Sequence, residues 1–168
     1  MIAAASRTAT WTALFLAFAM AAVVLSALGF EHIGGYIPCA LCLEQRLPYY
    51  IGAPLMLATF LLGRFGSPAL LVRLLLAAGA GLMLWGLVLA VYHSGVEWHF
   101  WAGPTDCTSV APVTPGSVEE LLSGAVNKRP PSCDEAALRV LGLSMAGWNA
   151  LASAFLAAVA IRGVFAKR

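Results

Sequence analysis

The sequence predicts an all-α membrane protein, a four-transmembrane-helix bundle with both termini cytoplasmic and two outer, periplasmic loops. Three observations lead there. The chain has 168 residues, 61% of them hydrophobic and 11% charged, more apolar surface than one soluble core of that size can hide. Four stretches lack any Asp, Glu, Lys or Arg and are long enough to cross a bilayer. The basic residues flanking these stretches are biased to one side of the membrane.

The first stretch runs from Ala9 to Phe30. A helix rises about 1.5 Å per residue, so about 20 apolar residues span the hydrocarbon core. The rival reading is a cleavable signal peptide, with Arg7 as its basic flank and Ser26, Ala27 and Gly29 as small residues. The apolar run is longer than the roughly 7–15 residues of a signal core, which favours a retained span. The second stretch, Leu47 to Gly63, is the shortest and carries two prolines. Pro48 falls in the first turn, where a missing N–H costs little, and Pro54 predicts a kink. Leu74 to Val96 and Val140 to Ile161 complete the set, and residues 1–168 read as one membrane domain.

Orientation follows from the flanks. Arg7, Arg64, Arg73, Arg162, Lys167 and Arg168 fall on one side; Arg46, Lys128, Arg129 and Arg139 fall on the other. The positive-inside rule puts the first group in the cytoplasm. All 8 acidic residues, Glu31, Glu44, Glu97, Asp106, Glu119, Glu120, Asp134 and Glu135, then lie outside. The outer loops are a short one, Glu31 to Arg46, and a long one, about 97–139. The long loop opens with Trp98, His99, Phe100 and Trp101, suited to the membrane interface. Further on, Ser117 and Glu120 fit a capping box with Leu121 and Leu122 behind it, predicting either a short amphipathic helix on the membrane surface or a single surface turn of helix. Pro112, Pro115, Pro130 and Pro131 predict extended, mobile chain around it.

This topology places all 4 cysteines outside, where disulfides persist. Cys39 and Cys42 form a C-x-x-C at the mouth of the second span; Cys107 and Cys133 stand far apart in the long loop. An even number with one pair in a redox spacing points first to two disulfides. Pro38 suits the first position of a helix, which puts Cys39 and Cys42 in its opening turns. Unpaired N–H groups and the helix dipole there favour thiolate over thiol. A continued helix brings Arg46 onto the face of Cys42, where a guanidinium would stabilise the thiolate or hold an electron-rich acceptor.

Other readings compete. Purely structural disulfides suit a small exported loop, but a C-x-x-C bridge closes too small a ring to stabilise much by chain entropy. A zinc site needs a second knuckle, which Cys107 and Cys133 do not form, so no metal is expected. Arg46 alone could be an interfacial arginine extending its charge to water. His93 lies near the end of the third span at a depth similar to Arg46, and could donate a proton or a hydrogen bond to a bound ligand. For His32 and His99, capping or interfacial solvation serves as well. A haem between helices would want histidines within the spans.

The run Pro38-Cys39-Ala40-Leu41-Cys42-Leu43-Glu44-Gln45-Arg46 resembles the signature of the bacterial disulfide bond formation protein B (DsbB) family. So do Tyr92-His93, Gly103-Pro104-Thr105-Asp106-Cys107, Cys133-Asp134-Glu135, Leu141 to Met145 and Trp148, so the likeness covers nearly the whole chain. The resemblance implies a quinone-linked thiol oxidase of the bacterial inner membrane that reoxidises a periplasmic DsbA-type thioredoxin-fold protein. By that likeness Cys107 meets the partner, Cys133 is its mate, and Cys39 exchanges with the Cys107–Cys133 pair. Cys42 faces the quinone, ubiquinone or menaquinone, with Arg46 polarising it and His93 beside it. Some members carry an acid just before the arginine; Gln45 stands there, which puts proton handling at that position in question. Vitamin K epoxide reductases share the bundle and the quinone chemistry, but their C-x-x-C comes late in the chain. A non-enzymatic membrane subunit pinned by two disulfides is the other reading.

Overall fold

The computed structural model describes residues 4–104 and 133–166. Helix α1 (Arg7–His32) opens on Ser6, whose hydroxyl accepts the Ala9 N–H. A short α2 (Ala40–Glu44) precedes α3 (Leu47–Arg64), and α4 (Ala69–Glu97) follows. A hairpin of β1 (Arg139–Val140) and β2 (Leu143–Ser144) leads into α5 (Met145–Val164). The four long helices close a ring in which α1 packs on α3, α3 on α4, α4 on α5 and α5 on α1.

Among the described residues, α1, α4 and α5 are long and apolar enough to cross a membrane. Helix α3, with 18 residues and Pro54 inside it, coincides with the second expected span. The outward faces are as apolar as the core. Trp11, Phe15, Phe18 and Leu25 on α1, Leu74, Leu84 and Val88 on α4, and Leu151 and Phe155 on α5 are all exposed. So much unpaired apolar surface is stable only in lipid. Inside, Leu16, Met20, Met56, Leu76 and Met83 are fully buried. Two glycines set the spacing. A Cβ on Gly52 would lie 2.8 Å from the Met20 sulfur, and one on Gly79 would lie 2.7 Å from Met56 Cε. The thioethers fill the gaps that the missing side chains leave.

The basic flanks gather at one end of the bundle. The Ala5 N–H donates to the Ser67 carbonyl at 3.2 Å, tying the start of α1 to the α3–α4 turn. Arg73 Nη2 donates to the Ala166 carbonyl at 3.3 Å, which brings the end of α5 to the same place. The C-x-x-C, Glu97 and the hairpin lie at the opposite end.

Two expected boundaries need correction. Helix α4 begins at Ala69, directly after Pro68, so Arg73 sits within it and the connecting turn is short. Hydropathy places the start at Leu74 because it treats a charge as a boundary, whereas this arginine reaches from inside the helix to a chain terminus. Helix α5 begins at Met145 rather than Val140. Leu141 (φ 53°) and Gly142 (φ 84°) form a two-residue turn of the left-handed kind that joins paired strands. Ser144 then caps the helix, accepting the Gly147 N–H at 3.1 Å. Cys107, the capping box at Ser117–Glu120 and the surrounding prolines lie outside the described residues.

Candidate active site

The reactive end is built on α2. Cys39 is the N-cap of this helix rather than a member of its first turn, and its sulfur accepts the Cys42 N–H at 3.4 Å. The helix ends at Glu44, and Gln45 and Arg46 turn the chain into α3. Arg46 therefore does not continue the face of Cys42. Its Nη1 instead donates to Glu31 Oε2 at 2.5 Å, an ion pair between the end of α1 and the start of α3. The partner of this charge lies 15 residues upstream.

Cys39 and Cys42 are both free thiols, with their sulfurs 3.1 Å apart. His93 Nε2 lies 3.7 Å from Cys39 Sγ. The Cys42 backbone N–H and the His93 ring N–H converge on this sulfur, and the two cysteine sulfurs share a proton between them. The Cys39 thiol falls from its ordinary 9.0 to about 4, chiefly through the bond from Cys42, with burial opposing and His93 assisting. The Cys42 thiol is pushed up, first because Cys39 holds its proton and then by burial. Helix-start chemistry alone predicts thiolate character at both cysteines; contact between the sulfurs leaves one proton shared and one charge, on Cys39.

Behind the histidine runs a chain of hydrogen bonds that the sequence did not reveal. Gln45 Nε2 lies 3.2 Å from the Leu41 carbonyl and 2.6 Å from His93 Nδ1. A carbonyl only accepts, so this Gln45 atom is the donor, and His93 Nδ1 must accept. The ring proton is therefore on Nε2, facing Cys39. Asn149 Nδ2 donates to Gln45 Oε1 at 2.6 Å. Tyr49 donates to Asn149 Oδ1 at 2.6 Å, and its oxygen lies 2.8 Å from Ser153 Oγ. Since Tyr49 has one proton and it goes to Asn149, Ser153 donates to Tyr49. Every donor in the series points from the bundle interior toward the cysteine, an arrangement in which each bond polarises the next.

Cys39, Cys42 and His93 present ligand atoms within 4.8 Å of one another, close enough to hold a metal ion. The proton on Nε2 argues against that use, because it is the nitrogen facing the sulfurs that would have to be free. Glu97, one helical turn after His93, places Oε1 3.8 Å from Nε2. Its Oε2 is buried without a hydrogen-bond partner among the described residues. Sequence reading put Glu97 in the outer loop; the clue was its i, i+4 relation to His93.

These groups line the mouth of a cavity of about 530 Å³. Cys39, Cys42, Gln45, Arg46, His93 and Glu97 form its polar end, and Ala22, Val23, Ala27 and Phe30 of α1 with Met145, Trp148 and Ala152 of α5 form apolar wall. That size and composition suit a small molecule with an apolar body and a few polar atoms. His32 ends α1 and His99 is exposed, so neither joins the site.

Cys133 completes the picture. It is disulfide-bonded, 2% exposed, and packs in one apolar cluster with Cys39, Leu41 and Val96. A cysteine 91 positions beyond Cys42 thus arrives beside the free pair, carrying an oxidised sulfur.

Residues 9–162 match the family model described as disulfide bond formation protein DsbB. The chain is 33% identical over 137 residues to the disulfide bond formation protein B of Marinobacter nauticus, covering 80% of this chain and 77% of that one. It is 27% identical over 122 residues to an uncharacterized protein of Rickettsia prowazekii, covering 72% of this chain and 67% of that one. No solved structure matches the chain.

Proposed function

The chain belongs to the disulfide bond formation protein DsbB family, and from that premise we propose that it oxidises a periplasmic DsbA-type thioredoxin-fold protein and passes the electrons to a membrane quinone. The observation that carries the proposal is the packing of disulfide-bonded Cys133 against free Cys39. Exchange requires a thiolate beside a disulfide, and both are present in one cluster.

In this reading the four long helices all span the inner membrane, both termini are cytoplasmic, and the cysteines face the periplasm. Cys107 forms the mixed disulfide with the partner, and Cys133 is its mate. The Cys107–Cys133 pair is then reoxidised by Cys39–Cys42. The cavity beside Cys42 fits a quinone: its walls are apolar, Arg46 offers donors at the polar end, and His93 lines it with its N–H turned to Cys39. Arg46 has five N–H donors, of which Nη1 is engaged by Glu31, so the guanidinium can bind a carbonyl oxygen while staying anchored. A bound quinone, ubiquinone or menaquinone, supplies a two-electron sink stronger than a DsbA-type oxidant near −120 mV. The protein's part is to hold Cys42 against that sink, keep Cys39 as thiolate, and exclude water.

The test is quinone reduction by the purified protein with a reduced thioredoxin-fold partner and a water-soluble ubiquinone analogue. Catalytic loss of quinone absorbance, abolished by Cys42→Ser, is the expected result. Normal turnover by Cys42→Ser removes Cys42 from the electron path. Cys107→Ala should fail with the protein partner while retaining quinone binding; normal partner oxidation would assign the first contact to another thiol.

A further inference from the structure

Glu97 is the buried acid that the thiol chemistry leaves unassigned. Its side chain is 4% exposed, it lines the cavity, and Oε2 has no partner among the described residues. The titratable and charged groups around it are few. On its own helix there is His93; on α2 there are Cys39 and Cys42; across the cavity stand the Arg46–Glu31 pair and Glu135. Arg46 pairs with Glu31, and among the described residues no ion pair joins it to Glu97. His93 accepts from Gln45 at Nδ1, so the nitrogen that faces Glu97 is the N–H, Nε2.

The reduced pair carries one thiolate in this apolar setting, where an uncompensated second charge is costly. Two anionic groups close together favour uptake of a proton by one of them. We propose that Glu97 is the site's second proton carrier: reduction of the Cys39–Cys42 pair puts one proton on Cys42 and one on the Glu97 carboxylate, and oxidation releases both. The inference rests on the reading of Cys39–Cys42 as a redox pair serving a quinone.

The balance is complete in this form. Oxidation breaks the Cys42 S–H bond and the Glu97 O–H bond, forms the Cys39–Cys42 S–S bond, and leaves Glu97 as carboxylate. Two electrons and two protons depart, which is what a quinone takes up on becoming a quinol. Without Glu97 the thiolate–thiol pair yields two electrons and only one proton. His93 is then a positioning residue, its N–H between the sulfur and the carboxylate, and Gln45 fixes its tautomer.

The decisive experiment uses the full chain, quinone-free in detergent, equilibrated with oxidised and reduced dithiothreitol across a pH series above the Cys39 transition. The redox state of Cys39–Cys42 is read by alkylation and mass spectrometry. The midpoint potential should fall with pH at the slope of two protons per two electrons. Glu97→Gln should halve that slope, Glu97→Asp should restore it, and Glu135→Gln should leave it unchanged. A two-proton slope retained in Glu97→Gln, or a one-proton slope in the unsubstituted protein, overturns the proposal. Should Glu97→Gln not fold, infrared difference spectra of the unsubstituted protein decide. A carboxylic acid band gained on reduction and shifted in D2O supports the proposal, and its absence overturns it. No quinone enters these measurements, so they judge Glu97 separately from quinone reduction, whose failure would count against the functional reading instead.

Discussion

Replacing Gln45 by leucine tests the hydrogen-bond chain directly. Gln45 is 5% exposed and its side chain takes part in three bonds, to the Leu41 carbonyl, His93 Nδ1 and Asn149 Nδ2. Leucine keeps most of the volume and satisfies none of them. The Leu41 carbonyl loses little, since it still accepts the backbone N–H of residue 45. His93 Nδ1 is left buried without a donor, and an orphaned buried group costs about 1–3 kcal/mol. Asn149 lines the cavity and can recover part of its bond from water, for about 1 kcal/mol. The expected destabilisation is therefore about 2–4 kcal/mol, measured by denaturant unfolding in detergent. Ser153→Ala at the far end removes one donor from Tyr49, which keeps its bond to Asn149, and should cost only about 1 kcal/mol. Gln45→Leu should also free His93 to change tautomer, so that the Cys39 thiolate loses a steady donor and its transition moves upward from about 4. Equal stability for Gln45→Leu and the unsubstituted protein, with an unmoved thiolate transition, would refute the chain as a functional unit.

Three further outcomes are expected. Arg46→Ala should raise the apparent KM for quinone about tenfold, roughly 1.4 kcal/mol of lost binding, while Glu31→Gln, which only frees the guanidinium, should have a much smaller effect; an unchanged KM in Arg46→Ala would return the residue to interfacial solvation. The ultraviolet thiolate absorbance of the reduced protein should correspond to one thiolate per C-x-x-C. Because Cys39 is lowered to about 4, that signal should persist through neutral pH and vanish only as pH falls through about 4, whereas an ordinary thiol would lose it near 9.0. Gly95→Ala would set a Cβ 2.0 Å from the Trp101 ring, which stacks on Tyr92 and donates Nε1–H to the Tyr92 carbonyl. The indole must leave, so tryptophan fluorescence should shift and stability fall by about 1–3 kcal/mol; an unaltered spectrum would mean the ring is not seated there.

How far the sequence reached depends on the range of each interaction. The C-x-x-C, Arg46 and His93 were legible because a short motif and a position at a span end point to them. The partners that define their chemistry were not. Asn149 lies 104 residues from Gln45 and 100 from Tyr49, and no periodicity links such positions until α3 and α5 are packed. Glu97 was misplaced for a physical reason: hydropathy reads a carboxylate as the end of a span, although a helix can continue to an acid that it buries. The same logic delayed the start of α4 past Arg73. At the hairpin, hydropathy carried the fourth span through Val140–Ser144, and only Gly142 and Ser144 marked the break. Gln45, which stands where some members of the resembled family carry an acid and so puts proton handling there in question, supplies what an acid could not: an N–H to His93 and to the Leu41 carbonyl at once.

The proposed function requires electrons to move from the outer cysteine pair to the C-x-x-C. Cys39 packs in one apolar cluster with Cys133, so the two pairs are placed to exchange. The Cys42 N–H and the His93 N–H on the Cys39 sulfur stabilise the reduced form of the C-x-x-C, and a stabilised reduced form makes a dithiol couple more oxidising. The same donors act on rate. A low-pKa thiolate is a weak nucleophile and a good leaving group, so Cys39 departs readily when an outer disulfide closes against it and returns slowly to attack that disulfide. Packing Cys39 against Cys133 would otherwise invite the back reaction, since the two share one cluster. In the proposed mechanism the buried chain from Ser153 to His93 would bias transfer inward: it would lower the reactivity of Cys39 toward the pair it has just oxidised and leave Cys42, on the cavity wall, as the way out.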